Sequence, residues 1–308
     1  MLSADDLELF VTVGSSASLA AAARTLGITP PAVSQRLTHI ERKLALRLVE
    51  RSNRGLKLTS DGELLFKRAN EILRQFTRME DELAQRGGKN AGVLRVVAPL
   101  GFGRTYVVGL VIDYHAAHPD VRVDLNLSDR PGIGLATACD ILIQIGELRD
   151  SEQVATVVAP NRRLLCAAPA YLDRYGAPSM PADLRDHRCI ALRENDEDVT
   201  LWRFENARGE RINVRIEPVL SSNDSAATKA LALAGAGITV RSEWDVAEDI
   251  AARRLVPLLP GWKLPDADIT AILGRRGERA ARVDDFLGLL RRSLRPVPWR
   301  QRGGQVAG

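Results

Sequence analysis

The chain has 308 residues, 45% of them hydrophobic, enough for two or three separate cores. Its 43 Lys and Arg against 39 Asp and Glu leave a formal charge of +4, and no apolar run approaches the roughly 20 residues of a membrane-spanning helix. The acidic, amphipathic start MLSADDLELF is not expected to be an export signal, and the three cysteines (Cys139, Cys166, Cys189) have neither metal-type spacing nor the even count of a disulfide framework.

The first predicted element is a helix over Leu2–Gly14, packing through Leu7, Phe10, Val11 and Val13. A second follows Ser18, a good N-cap, with Leu19, Ala22, Ala23 and Leu26 on one face. Gly27 ends it, because glycine takes the left-handed C′ position without strain. A third helix starts at Pro30–Pro31, where a missing N–H costs nothing. Its Val33, Leu37, Ile40 and Leu44 form one buried stripe, and Ser34, Gln35, Thr38 and Arg42 lie opposite. Spacing alone fits either an ordinary αα-hairpin or a helix-turn-helix. Charge favours the second: Arg24–Lys57 holds eight basic residues and only two acids, Glu41 and Glu50, a local +6.

Val49–Thr59 reads as a small hairpin, or wing, turning at Asn53–Arg54–Gly55. Arg51, Asn53 and Arg54 would meet phosphates or the minor groove, the alternative being a merely solvated basic turn. Ser60–Gln85 is a long helix with Ser60 and Glu63 as a capping box. Its Leu65, Ala69, Ile72, Phe76, Met79 and Leu83 repeat every 3.5 residues, the seam of a coiled coil, which predicts a dimer. Gly87–Asn90 reads as a hinge.

From Val93 the period changes. Strands are predicted at Val93–Ala98, Val121–Leu127 and Ile141–Ile145, with a helix at Tyr106–Ala117. A second set follows: strand Leu164–Ala167, a helix near Ala170–Tyr175, strands Cys189–Leu192 and Arg211–Ile216, helix Asp224–Ala234 and strand Ile238–Val240. Strand Asp268–Leu273 and helix Ala280–Leu294 return to the first lobe, giving two α/β lobes crossed twice by the chain. The Pro/Gly-rich tail from Pro296 is expected to fray.

The first 65 or so positions closely resemble the LysR-type transcriptional regulators. The match runs through Phe10, Ser18–Leu19, Ala22–Ala23, Leu26, Ala32–Ser34, Ile40–Glu41, Leu44, Leu48, Glu50–Arg51, Leu58–Thr59 and Gly62. Thr29–Pro30 departs from it, standing where many members have Ser-Gln. The second half resembles the CrgA-like branch through Gly101–Arg104, Ser128–Pro131, Ala159–Arg163, Arg193–Asp198 with Leu201–Arg203, Ser221–Asp224 and Arg241–Val246. There Leu142 and Gln144 stand where relatives usually have Asp and Arg.

The resemblance implies an α/β protein with a winged helix-turn-helix over 1–59 and a linker helix and hinge over 60–90. An effector domain like a periplasmic binding protein would cover 91–296, with one lobe at 91–160 and 265–296 and the other at 161–264. Residues 297–308 would be a flexible tail. Ser18, Thr29, Pro31, Ser34, Gln35, Arg36, Thr38, Arg51, Asn53 and Arg54 would face double-stranded operator DNA. Some relatives in this branch respond to small dicarboxylates such as tartrate or malate.

Ligands of α/β sheets sit beyond the carboxyl ends of strands. Leu100–Thr105 and Ser222–Asn223–Asp224 both lead from a strand end into a helix start, where free N–H groups favour an anion. Arg241 would clamp a carboxylate, or else pair with Glu243 or Asp245. Asp224 fits a cap better than a ligand contact, and Trp202 is a cleft wall or a core residue. The candidate effector set is Leu100, Gly101, Phe102, Gly103, Ser128, Gln144, Trp202, Ser222, Asn223 and Arg241.

No catalytic constellation appears: His39, His115, His118 and His187 lack a metal spacing, and Gly101-Phe-Gly103 lacks the third glycine of a dinucleotide fingerprint. No enzyme activity, cofactor or metal is expected. The expected protein is a cytoplasmic regulator, a homodimer or dimer of dimers. Its expected partners are operator DNA, a small-molecule effector of the small organic anion class, and RNA polymerase. The competing reading is a solute-binding protein whose N-terminal helices serve only assembly.

Overall fold

The computed structural model describes residues 1–16, 18–52, 55–86, 92–129, 139–146, 154–193, 199–273 and 279–301. Helix α1 (Ala4–Gly14) opens with a reciprocal cap. The Ser3 hydroxyl accepts the Asp6 N–H and the Asp6 carboxylate accepts the Ser3 N–H. Lys43 meets Asp6 at 2.8 Å and ties α1 to the third helix. Its hydrogen bond holds the Asp6 carboxyl below the usual carboxylate range.

Helix α2 (Leu19–Leu26) is capped by Ser18 and stopped by Gly27 at φ +65°. Helix α3 (Pro30–Leu44) is capped by Thr29. Val33, Leu37 and Ile40 are buried with Phe10, Val13, Ala22 and Ala23 in one small core. Strands β1 (Val49–Ser52) and β2 (Gly55–Leu58) pair antiparallel, with Ser52 opposite Gly55.

The long helix α4 (Ser60–Arg86) corrects the expected cap. Thr59, not Ser60, is the N-cap: its hydroxyl accepts the Gly62 N–H and donates to the Arg47 carbonyl. Glu63 is therefore one position too late for a capping box. At Gly62 a Cβ would collide with the Leu48 carbonyl, so only glycine lets the helix start against the wing.

The second half holds two five-stranded sheets. The first has the order β4-β3-β5-β15-β6, from β3 (Gly92–Ala98), β4 (Val121–Leu127), β5 (Ile141–Ile145), β6 (Val154–Ala159) and β15 (Ile269–Leu273). Strand β3 runs parallel to β4 and β5, and β15 is antiparallel to β5 and β6. The second sheet has the order β11-β8-β12-β7-β13, from β7 (Arg163–Ala167), β8 (Cys189–Leu192), β11 (Pro218–Ser222), β12 (Ile238–Ser242) and β13 (Val256–Pro257). The predicted strand Arg211–Ile216 does not join it. As β10 (Arg211–Arg215) it pairs with β9 (Leu201–Asn206) in a separate small sheet that β14 (Trp262–Lys263) completes.

Two crossings link the sheets, and Asn161 locks them together. Fully buried, it donates from Nδ2 to the Ala267 carbonyl at 2.8 Å and accepts the Trp244 N–H on Oδ1 at 3.3 Å. Its own N–H goes to Asp268. One side chain thus joins both crossings to the helix Glu243–Ala251.

The chain end overturns the expected fray, at least up to Gln301; the remaining tail positions lie outside the described residues. Pro298–Gln301 is a short helix with Trp299 only 3% exposed. Trp299 packs on Tyr106 with centroids 5.3 Å apart, and Arg300 clasps the buried Glu243 at 2.7 Å. Arg162 holds the same carboxylate from the first crossing, also at 2.7 Å. Aromatic burial and a shared charge outweigh the entropy that Pro and Gly composition suggested.

Burial alone would raise the Glu243 carboxyl, but hydrogen bonds from Arg162 and Arg300 outweigh it and hold it below the usual glutamate range. The stability from this clasp is present above the ordinary glutamate pKa of about 4.3 and is lost as pH falls through the lower native value. Acid unfolding followed by circular dichroism should therefore be less steep below about pH 4.3 in Glu243→Gln than in the wild type. Equal slopes would show that the clasp carries no such stability.

Candidate functional site

The helix-turn-helix presents one polar face. Gln35, Arg36 and Thr38 are exposed and Ser34 is half-buried. Pro31, Gln35 and Thr38, spaced four and three, share a side of α3. Arg36 sits at the edge and donates to the Asp5 carbonyl at 3.3 Å. Ser18 and Thr29 are exposed at the starts of their helices, where their oxygens accept the N–H groups of Ala21 and Ala32. Arg51 is on β1, and Asn53 and Arg54 lie outside the described residues.

In the sequence Glu41 stands as one of two acids in a basic stretch. Its carboxylate accepts the N–H groups of Leu48 at 2.9 Å and Val49 at 3.3 Å, and so pins the root of the wing to α3. An acid kept among so many cations was the available signal.

The α4 seam is divided. Leu65 packs on the helix-turn-helix core and Ala69 is fully buried within the chain. Neither is left for a partner helix. Ile72, Phe76 and Met79 are about half exposed, at 51%, 50% and 48%. Leu83 lies further along α4, and its side chain is outside the described set.

At the strand ends the structure gathers part of the expected set and disperses the rest. Leu100–Phe102 is already helical and runs through a π-helical turn, Gly103–Val107, into Val108–Ala117. The expected loop before Tyr106 is thus the helix itself. The Leu100 N–H is taken by the Asp129 carboxylate at 2.8 Å. Gly101 and Phe102 follow in the first turn, where no intrahelical acceptor exists.

A Cβ at Gly101 would stand 3.5 Å from the Ser225 hydroxyl and 3.1 Å from Trp244, so helix starts from the two lobes meet here. Arg241 lies behind them, 3% exposed. It bonds Ser225 and pairs with Asp245 at 2.7 Å. The guanidinium is therefore not a free clamp: a carboxylate four residues on, in the helix that follows the strand, neutralises it. Its Nη1 nonetheless has no partner.

The remaining candidates divide between core, cap and strand, with Asp224 in the capping place expected of it. Trp202 is in the core of the second lobe with Phe204, Val214 and Leu184. Asp224 is the cap of helix Ser225–Leu233, accepting the Ala227 N–H at 2.7 Å, and the Ser222 hydroxyl accepts the N–H of Asp224. Asn223 is exposed beside that cap. Gln144 lies within β5, opposite Thr270, and the Ser128 N–H bonds the Ala98 carbonyl at the end of β3.

Among the described residues no group of three or more His, Cys, Asp or Glu could hold a metal ion, and no helix is long and apolar enough to cross a membrane. Burial pushes the Cys166 and Cys189 thiols up to about 12, which leaves them protonated and unreactive near neutral pH.

Comparison with known proteins covers both halves. Residues 4–63 match the model described as bacterial regulatory helix-turn-helix protein, lysR family, and residues 87–295 match the LysR substrate binding domain. The HTH-type transcriptional activator TtdR of Escherichia coli (strain K12) is 35% identical over 257 residues, 83% of each chain. The HTH-type transcriptional regulator DmlR of the same strain is 32% identical over 287 residues, 93% of each chain. Among solved structures, CrgA, a LysR-type transcriptional regulator from Neisseria meningitidis, is 27% identical, with coverage of 99% and 100% and a TM-score of 0.53. The Vibrio cholerae virulence activator AphB, at 23% identity, shares the fold with a TM-score of 0.66 over 94% of this chain and 98% of its own.

Proposed function

The chain belongs to the LysR-type transcriptional regulators, and we propose that its surfaces divide the work of that family as follows. It is a DNA-binding regulator, not an enzyme, and the solute-binding alternative is not favoured by relatives that are regulators over 83–93% of their length. Residues 1–59 read the operator, 60–90 join two copies, and 91–296 bind the effector. The protein works in the cytoplasm, where it meets DNA and RNA polymerase.

The observation that carries the DNA reading is the exposed face of α3 within a stretch of net charge +6. Gln35 reads a base edge and Arg36 contacts a phosphate. Gel shifts over a salt series on the protein's own upstream DNA test this. Gln35→Ala should lose about 1–3 kcal/mol on the cognate site only. Arg36→Ala should weaken all sequences alike and flatten the salt slope by about one unit. Normal specific binding by both variants would displace the docking face.

Ile72, Phe76, Met79 and Leu83 form the dimer seam, which excludes Leu65 and Ala69. Dimers pair further through effector domains, where Ile112 (63% exposed) and Val219 on edge strand β11 (47%) leave apolar surface uncovered. Ile72→Asp and Phe76→Asp place a charge in the seam and should halve the solution mass seen by analytical ultracentrifugation. An unchanged mass would overturn the seam.

The effector is a small organic anion held where the Leu100–Gly103 turn meets Ser225 and Arg241. The buried Nη1 of Arg241, still without a partner, supports this. Thermal-shift titration with mono- and dicarboxylates should give a stabilising acid whose effect is lost in Arg241→Lys, which keeps the charge but loses the fork. An effect that survives would remove Arg241 from the site.

A further inference from the structure

Only positions 87–91 separate α4 from β3, where the chain enters the effector domain. At its other end β3 runs through Pro99 into the helical turn Leu100–Phe102 of the strand-end seam. The helix that follows must run back along the sheet, because β3 and β4 are parallel. From Gly101 to Tyr114 it covers about 20 Å, close to the length of the seven-residue strand. Two rods thus join at the seam, and the strand's far end is the linker's point of entry.

The far ends are bolted through one residue. Arg282, in the first turn of the helix Ala281–Ser293, is 2% exposed. Its Nε donates to the Val93 carbonyl at 2.9 Å. Its own carbonyl accepts the Tyr114 hydroxyl at 3.0 Å. Burial pushes that hydroxyl up to about 12, so it stays protonated and donates at neutral pH. The Tyr114 ring stands edge-on to Phe286 of the same helix, with centroids 5.2 Å apart. The strand needs the Arg282 donor. Val96 and Val97 pair with β5, and Asp140 extends that pairing to Arg95 with two bonds, at 2.9 and 2.7 Å. The Val93 carbonyl, two residues earlier on the same edge, meets Arg282 instead.

We propose that Tyr114 and Arg282 are positioning residues for regulation, coupling the effector seam to the linker entry; this rests on the reading of that seam as the effector's place. A guest that draws the Leu100–Gly103 turn toward Ser225 shifts the helix along the strand. Through β3 alone that shift would be lost, since the strand is held by neighbours on both sides. Through Tyr114 it reaches the Arg282 main chain, and through the guanidinium it reaches Val93. The linker entry then follows the helix. Such coupling is reciprocal, so the linker also biases the seam.

Gly101→Ala serves as the perturbation, because its Cβ would stand 3.1 Å from Trp244 and press the turn off the second lobe. Tyr114→Phe removes only the hydroxyl and keeps the ring packing. Gel shifts of the full-length protein on its own upstream DNA give the readout. Gly101→Ala should change operator affinity at least roughly threefold in the wild-type background and less than about 1.5-fold in Tyr114→Phe. A hydroxyl that only stabilised the domain would lower the melting temperature and leave that ratio intact. Arg282→Met keeps bulk and loses the donor. It should quicken amide exchange roughly threefold or more over 92–95 and, remotely, over 100–104. Equal Gly101→Ala effects in both backgrounds would overturn the coupling. So would an operator affinity indifferent to Gly101→Ala, or exchange that quickens at 92–95 alone. No ligand enters these measurements, so a failed carboxylate titration would sink the anion reading and leave this one standing.

Discussion

The buried carboxylate of Glu243 is the constraint around which the effector domain is arranged. It opens the helix Glu243–Ala251, and it is gripped by Arg162 from one crossing and Arg300 from the chain end. Beside it Asn161 ties the second crossing to the same helix. Charges this far from water are stable only when fully partnered. The two lobes, the crossings and the C-terminus are therefore committed to one relative arrangement at this point. Motion between the lobes has to occur around it, and Trp244, the next residue, carries any such motion into the aromatic cluster with Phe102 at 5.4 Å.

Helix α4 does two jobs in succession. Its first turns complete the helix-turn-helix core through Phe66 and Leu65. Beyond them the same heptad-like repeat emerges into solvent at Ile72 and continues through Phe76 and Met79. A single apolar period thus serves an intramolecular core and then leaves a free stripe, which is why periodicity alone assigned all six positions to one seam.

Local chemistry was the most legible part of the sequence. Ser18, Gly27 and the Val33–Ile40 stripe declare themselves through neighbours three or four residues away. The parallel core strands β3, β4 and β5 were legible for the same reason: they are apolar or alternating runs. Strands β6, β9, β11 and β14 were not, because each is defined by a distant partner rather than by its own pattern. The candidate site divided likewise. Asp245, four residues from Arg241, stood in the sequence as one alternative partner. The approach of Gly101 to Ser225, and the docking of Trp299, arise only when the lobes come together. Thr59 took the cap from Ser60 because its hydroxyl also reaches Arg47, a contact that no capping pattern encodes.

The joint at Thr59 and Gly62 has a mechanical meaning. With no room for even a methyl group between the helix start and the Leu48 carbonyl, the wing and α4 cannot pivot on one another. The 27 residues of α4 then form a lever about 40 Å long, rigidly attached to the DNA-reading head. A tilt of about 5° at its far end would carry the head some 3.5 Å, about the rise of one base pair along a strand. A stiff joint turns small angular changes into whole steps of DNA register.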